Sequence, residues 1–587
     1  MLLQKLMFAA AHYAALAIFV VACWGFGRAL LARLGAPPRP DVWLETAMAA
    51  TLGVGLFICA FQWLAIAGLF TATAVTALVA VGVVAACVQL PAWRRQMRPS
   101  GPSASLSRID RAALAALALV ALPTLVAPLA PPAAFDELMY HLPYARLVAQ
   151  SGSLGIHEWL RYPWFPYNYN LLYAGALLLG DDVLPHCLGA LAGWLSVWMV
   201  YRVGVLHVNR LTACIGAAIW LGLGDYSNAL IDMGVALFVL AGCVALWWWR
   251  ESPRESGARW LALAAFCLGV AAGSKYQALT FLPLVAVFVV RRERRVKVWA
   301  GALVCFMVPC IYWYARNAIT TGDPFNPIGA NLFGFTNWNA GDYKRQVDDV
   351  RAHAALPSVL IWPVLLAPFS PAWKRSAAVR AAVVFCAWSL LVWVATSRYP
   401  RYLTSALPLI ALAAALGWQV LLGWPVAALR TKFASAGARA GVVLAGLLLA
   451  VLTVASFQQT SRKLAMVSPA PAEREAFLRA NVPGYAVMNH LRAKATGRVY
   501  QIALSEAIYY GPDEVWGDTL GPWRYADFIG LPPAELARKL AAQGFEAIVI
   551  VAHLAPTLSS RPGFDEHFAP MYEKDNAKAY RIRQYAP

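Results

Sequence analysis

Charge is scarce in this chain. Of its 587 residues only 13% are Asp, Glu, Lys or Arg, while 60% are hydrophobic. A soluble protein of this size cannot cover its surface with so few charges, so the repeated apolar stretches of about 20 residues are expected to lie in a membrane. No CxxC pair occurs. The ten cysteines (Cys23, Cys59, Cys87, Cys187, Cys214, Cys243, Cys267, Cys305, Cys310 and Cys386) all fall within or beside apolar stretches. That placement suggests neither a zinc site nor a disulfide framework. There is no Walker A loop, no strand-preceded GxGxxG, no HExxH and no GxSxG in a suitable context, so nucleotide use is unsupported. Internal repeats and low-complexity tracts are also missing, and the lack of matching halves counts against a transporter built from inverted repeats. The first apolar stretch is too long for a signal h-region and lacks a cleavage site, which makes it a retained span.

What the chain does have is aromatic residues and basic gaps. Its 24 Trp and 23 Tyr suit two interfacial aromatic belts. The net charge of +19 sits mainly in short gaps between apolar stretches: PAWRRQMRPSGPSASLSRIDR, RESPRESGAR, RRERRVK, Lys374 with Arg375 and Arg380, and Arg430 with Lys432 and Arg439. This is the positive-inside pattern, so no nucleic-acid partner is expected.

Length and periodicity predict a polytopic α-helical membrane protein of about 14 spans with a C-terminal soluble α/β domain. Residues 1–110 hold three N-terminal spans and a basic cytoplasmic loop, 111–457 a transmembrane core with an external loop at 131–182, and 458–587 the polar domain. The basic gaps place the N-terminus outside. In the C-terminal region EREAFLRANVPGYAVMNHLRAKA and PAELARKLAAQGF have helical periodicity, while RVYQIAL, EAIVIVA and AYRIRQY read as strands.

The candidate chemistry begins at Asp136-Glu137, in PPAAFDELMYHLPYARLVAQSG just beyond a span. Adjacent carboxylates disfavour each other's ionisation, and ionisable residues at a membrane edge point to function. A helix starting there would set Asp136 above Tyr140 and Glu137 above His141. Asp136 could take a proton from an attacking hydroxyl; helix capping is the alternative reading. Asp225 and Asp232 flank the next external turn, and Asp232 is favoured because it opens a span. EWLRYPWFPYNYNLLY reads either as an interfacial segment on lipid headgroups or as a platform for a sugar or lipid. Lys275 in GSKYQAL, Arg316 in YWYARNAITTGDPFNP, and Arg398 and Arg401 in SRYPRY place cations on the external side. That runs against the positive-inside bias and suggests a lipid phosphate to hold.

On these residues the chain resembles the GT-C fold glycosyltransferases that use polyprenyl-phosphate sugars, the protein mannosyltransferase and lipid A aminoarabinose transferase group (glycosyltransferase family 39-like). FDELMYHLPYARLVAQSG matches the acidic first external loop, supported by Asp232, ARNAITTGDPFNP and SRYPRYLTSALPLIALAAA. The resemblance covers roughly 110–587, and the three N-terminal spans before the acidic loop depart from the simplest version of the family. It implies an inverting hexosyl- or pentosyltransferase. Asp136 would be the catalytic carboxylate, with Glu137 orienting the acceptor or helping bind a divalent cation (Mg or Mn). Asp232, Tyr140 and His141 would lie on the acceptor or metal side, and Lys275, Arg316, Arg398 and Arg401 would hold the lipid phosphate. The implied partners are a polyprenyl-phosphate-linked sugar, membrane lipids, and an envelope lipid, glycan or protein acceptor. The implied location is the bacterial plasma (inner) membrane, with active site and C-terminal domain on the periplasmic side. The alternatives are an O-antigen ligase or polymerase, and a non-enzymatic transporter or flippase of lipid-linked sugars.

Overall fold

The computed structural model describes residues 2–38, 40–97, 106–424, 436–494 and 496–583. Arg430, Lys432 and part of the first basic gap lie outside the described residues. Among the described residues, nine helices are long and apolar enough to cross a membrane: Leu2–Leu34, Val42–Ile66, Ala72–Gln96, Arg108–Leu129, Leu184–His207, Asp232–Glu251, Val296–Thr321, Ala377–Thr396 and Gly437–Met466. Four shorter apolar helices, Arg210–Leu223, Tyr276–Val290, Val359–Phe369 and Leu407–Leu422, pack among them, as does the helix Arg254–Ala272. These helices lie where spans are expected, but among the described residues only nine are long and apolar enough to cross a membrane, fewer than the expected 14 or so. The ends also differ: the last long helix continues to Met466 instead of stopping near 457.

Local chemistry sets the helix starts. Asp41 accepts from the Leu44 amide at 2.8 Å, Asn209 from Thr212 at 2.8 Å, and Ser107 with Asp110 forms a capping box. Each satisfies amides that the first turn leaves unpaired. Small residues then let backbones touch. A Cβ on Gly53 would fall 1.8 Å from the Cys23 carbonyl oxygen, and one on Gly27 1.7 Å from that of Ala49. This close approach seats the first helix against the second.

Beyond Met466 the chain builds a five-stranded sheet. Its strands are β1 (Arg498–Ile502), β2 (Val515–Trp516), β3 (Phe545–Val551), β4 (Phe568–Lys574) and β5 (Ala577–Ile582), in the order β2-β1-β3-β5-β4. β2, β1 and β3 run parallel; β5 is antiparallel to β3 and β4. The expected helix over EREAFLRANVPGYAVMNHLRAKA is broken into Pro471–Asn481 and Tyr485–Ala493. Pro483 cannot continue it, and Gly484 takes φ +80°. Strand alternation splits the burial. Tyr500, Ile502, Ile548, Ile550 and Ile582 pack on Leu536 and Leu540. Val499, Val549, Val551 and Ala579 join one continuous apolar core with the helix bundle.

Candidate active site

The two carboxylates of the acidic dipeptide do not share a partner. Pro131 and Pro132 end the preceding helical segment, and residues Glu137–His141 form a widened π turn before the helix Leu142–Ser151. Neighbouring residues on such a turn point in different directions. Glu137 points inward and is fully buried. Its carboxylate accepts from the Ala134 and Ala229 amides, both at 3.1 Å, and pairs with His186 Nε2. Asp136 points outward, with its side chain 24% exposed, and pairs with Arg401 Nη1. The dipeptide therefore presents one carboxylate to the outside.

Arg401 connects Asp136 to a second carboxylate. Its Nε donates to Asp232 Oδ2 at 3.0 Å, and Lys275 Nζ donates to Asp232 Oδ1 at 2.6 Å. The result is a chain Asp136–Arg401–Asp232–Lys275 of alternating charge, collected from four separate segments. Burial works against the Arg401 charge, but Asp232 and then Asp136 hold its guanidinium well above the usual range. The Lys275 ammonium also lies 5.0 Å from the centre of the Tyr402 ring.

A cavity of about 430 Å³ opens beside this cluster. Lys275, Tyr140 and Tyr402 contribute to its wall, and Leu279, Phe281 and Val392 carry it away among apolar side chains. Its lining along the helix Ala377–Thr396 extends from Thr396 to Ser389, about 10 Å of helix rise. Burial pushes the Tyr140 phenol well above its usual range, so it serves as a neutral wall. His141 is sealed in. Asn170 donates to its Nδ1 at 3.0 Å and to its carbonyl at 3.1 Å, and burial pushes the imidazole down to about 3.

The other expected cations diverge. Arg316 is buried between Trp313 and Trp164, at 5.0 and 5.8 Å from their ring centres. It donates to Asn317 Oδ1 at 2.9 Å and to the Pro163 carbonyl at 3.4 Å, outside the Asp136–Lys275 chain. Arg398 is exposed, and its Nε donates only to the Val394 carbonyl at 3.4 Å; it does not join the cluster. Asp225 pairs with Ser227 and Asn228 within its own turn. The aromatic stretch 158–173 is not spread on the surface: Trp159, Tyr162, Trp164, Tyr167, Tyr169 and Tyr173 are all buried. Tyr167 stacks on Tyr144 at 3.8 Å. No group of three or more His, Cys, Asp or Glu that could hold a metal occurs among the described residues. His186 is absent from the expectations above, although an ionisable residue inside an apolar span is itself a signal.

A many-helix membrane bundle with its acidic loop, cavity and cation cluster at one rim defines the class: the fold is GT-C. Superposition agrees. The structure of ArnT from Cupriavidus metallidurans bound to undecaprenyl phosphate matches with a TM-score of 0.50 at 13% identity, over 81% of this chain and 98% of that one. At that identity the likeness concerns the fold alone. By sequence, a family model described as SF2091/S2213 matches residues 473–581. The chain is similar to two curated proteins of Shigella flexneri: SF2092/S2214, 29% identical over 119 residues, and SF2093/S2215, 43% identical over 53 residues. These matches cover 18% and 9% of this chain, and 64% and 27% of those relatives. The chain thus spans less than two thirds of either.

Proposed function

We propose that this protein is a membrane glycosyltransferase that moves a sugar from a polyprenyl-phosphate donor to a hydroxyl of a cell-envelope lipid, glycan or protein. The observation that carries this reading is the chain from the partly exposed Asp136 through Arg401 and Asp232 to Lys275, which lines an apolar cavity. The cavity suits a prenyl tail, and the two cations suit its phosphate. The ArnT structure is bound to undecaprenyl phosphate, which supports the same use of the fold here. Asp136 takes the proton of the acceptor hydroxyl as that oxygen attacks the anomeric carbon. The bond from that carbon to the phosphate oxygen breaks, and its electrons leave with the lipid phosphate. Lys275 and Arg401 stabilise the charge that develops there. One displacement inverts the anomeric centre. Glu137 does not touch the reactants in this scheme; with His186 it anchors the turn that presents Asp136. We place the reaction on the outer face of the bacterial inner membrane, with residues 1–110 as N-terminal spans, 111–457 as the catalytic core and 458–587 as the periplasmic domain. The test is mass spectrometry of envelope glycans, lipids and glycopeptides from a deletion strain. Loss of one sugar, restored by the wild-type gene but not by Asp136→Asn, supports the reading. An unchanged sugar inventory overturns it.

A further inference from the structure

We propose that the C-terminal α/β domain is part of this active site, with Asp518 and Tyr510 as positioning residues that hold the segment carrying Asp136; the proposal rests on the role given to Asp136 above. Three contacts converge on that segment. Tyr510 is buried and donates its hydroxyl to the Pro132 carbonyl at 2.7 Å, four residues before Asp136. Asp518, buried beyond β2, receives two hydrogen bonds from Arg161, at 2.7 and 2.6 Å. The Arg161 guanidinium then lies over the Phe135 ring at 5.6 Å from its centre, next to Asp136 in the chain. Arg146, on the helix that follows the π turn, is buried against the same domain and donates to the Tyr509, Gly511 and Pro512 carbonyls at 2.6, 3.3 and 3.1 Å.

Asp518 is itself held. It accepts from Ser505 Oγ at 3.1 Å and from the Thr519 amide at 2.7 Å. Ser505 in turn accepts from Gln501 on β1 at 3.2 Å. The carboxylate is thus fixed to the ends of β1 and β2, the edge where an open parallel sheet commonly receives a ligand. Here the occupant is Arg161 of the core. A paired, two-pronged guanidinium is rigid in direction as well as distance, so the sheet can set the position of Phe135 and the backbone before Asp136. General-base catalysis is sensitive to displacements of this kind.

The test compares Asp518→Asn, Asp518→Glu and Tyr510→Phe with Arg479→Ala, a control in an exposed ion pair with Asp575 on the same domain. Two readouts are taken on the full chain in nanodiscs. Amide hydrogen exchange of residues 133–138 is expected to rise about tenfold in Asp518→Asn and less in Tyr510→Phe, with Arg479→Ala unchanged. Turnover is expected to fall about tenfold in Asp518→Asn while undecaprenyl phosphate binding stays within about twofold, and Asp518→Glu recovers part of the loss. Unchanged exchange and turnover in both Asp518→Asn and Tyr510→Phe overturns the proposal. Equal loss of turnover and lipid binding also overturns it, because that is the mark of general unfolding. Should Asp518→Asn fail to fold, Tyr510→Phe decides. Should Asp136→Asn retain turnover, the base assignment fails, while the exchange data still judge the brace.

Discussion

Replacing Asp136 with asparagine should separate catalysis from donor binding. The substitution keeps the shape and lets the side-chain carbonyl still accept from Arg401, but it removes the charge and the proton-accepting capacity. Loss of a positioned general base lowers turnover by about 10² to 10⁴. Donor affinity should move the other way. The cluster holds two carboxylates and two cations, so Asp136→Asn leaves it with one excess positive charge. A charge removed at roughly 7 Å from an incoming phosphate is worth about 2 kcal/mol at an effective dielectric of about 20. Since Asp136 is about a quarter exposed, solvent screening reduces this to about 1 kcal/mol, or roughly fivefold tighter binding. The assay pairs transfer of radiolabelled sugar from a polyprenyl-phosphate donor with a Kd for undecaprenyl phosphate, both in nanodiscs. Turnover within tenfold of wild type would refute the base assignment. Donor binding lost in parallel with turnover would refute the charge argument.

Four other outcomes follow from the geometry. Arg401→Ala removes the partner of both Asp136 and Asp232 and should weaken undecaprenyl phosphate binding by about 10 to 100-fold, measured as Kd; an unchanged Kd would take Arg401 out of the phosphate site. Arg398→Ala, by contrast, should leave donor and acceptor kinetics within about twofold, because the exposed Arg398 guanidinium reaches the Val394 carbonyl rather than the cluster. Glu137→Ala strands His186 and two buried amides and should cost about 3–5 kcal/mol of stability, read as a lowered Tm that Asp136→Asn does not share. His141 is held neutral by burial at about 3, below the ordinary value of about 6.5. The unfolded chain therefore binds the extra proton first as pH falls, and stability drops between those two values. His141→Gln should flatten the fall of Tm with pH across that window; an equally steep fall would locate the titrating group elsewhere.

Much of the fold was legible because membrane helices obey a length rule and basic gaps interrupt them. Asp136, Asp232, Lys275 and Arg401 could be chosen individually, since each is an ionisable residue at a span edge. That Arg401 rather than Arg398 enters the cluster was not legible. The two lie in one short SRYPRY segment, and the choice depends on the tight turn at Pro400–Leu403 and on Arg398 taking φ +51°. Arg316 carried the same signal as Lys275, but stacking between two indoles takes it elsewhere. The aromatic stretch 158–173 is mostly packed inside the bundle, with Phe165 reaching the cavity wall. Interfacial and buried tyrosines look alike in a sequence, and only the partners, such as Tyr144 and Trp313, distinguish them. In the C-terminal domain the hydrophobic strands β1 and β3 declared themselves. The two-residue β2 is too short to show a period, and β4 carries Pro570 and a register shift.

The two carboxylates of the dipeptide have separate partners. Two adjacent carboxylates seem to require a shared ligand only if they face one another. On a helix neighbours diverge by about 100°, and Asp136, just before the π turn, and Glu137, its first residue, point to different surroundings. Each carboxylate then finds its own compensation: Glu137 in two amides and His186, Asp136 in Arg401. The inner one fixes the turn, drawing together Ala134 before it, Ala229 in the turn before the helix Asp232–Glu251, and His186 on the helix Leu184–His207. The outer one can therefore remain partly open to solvent without the loop moving. A carboxylate that must exchange a proton has to be reachable, and one that must hold a loop has to be buried. A single residue cannot meet both demands, whereas consecutive residues on a turn can.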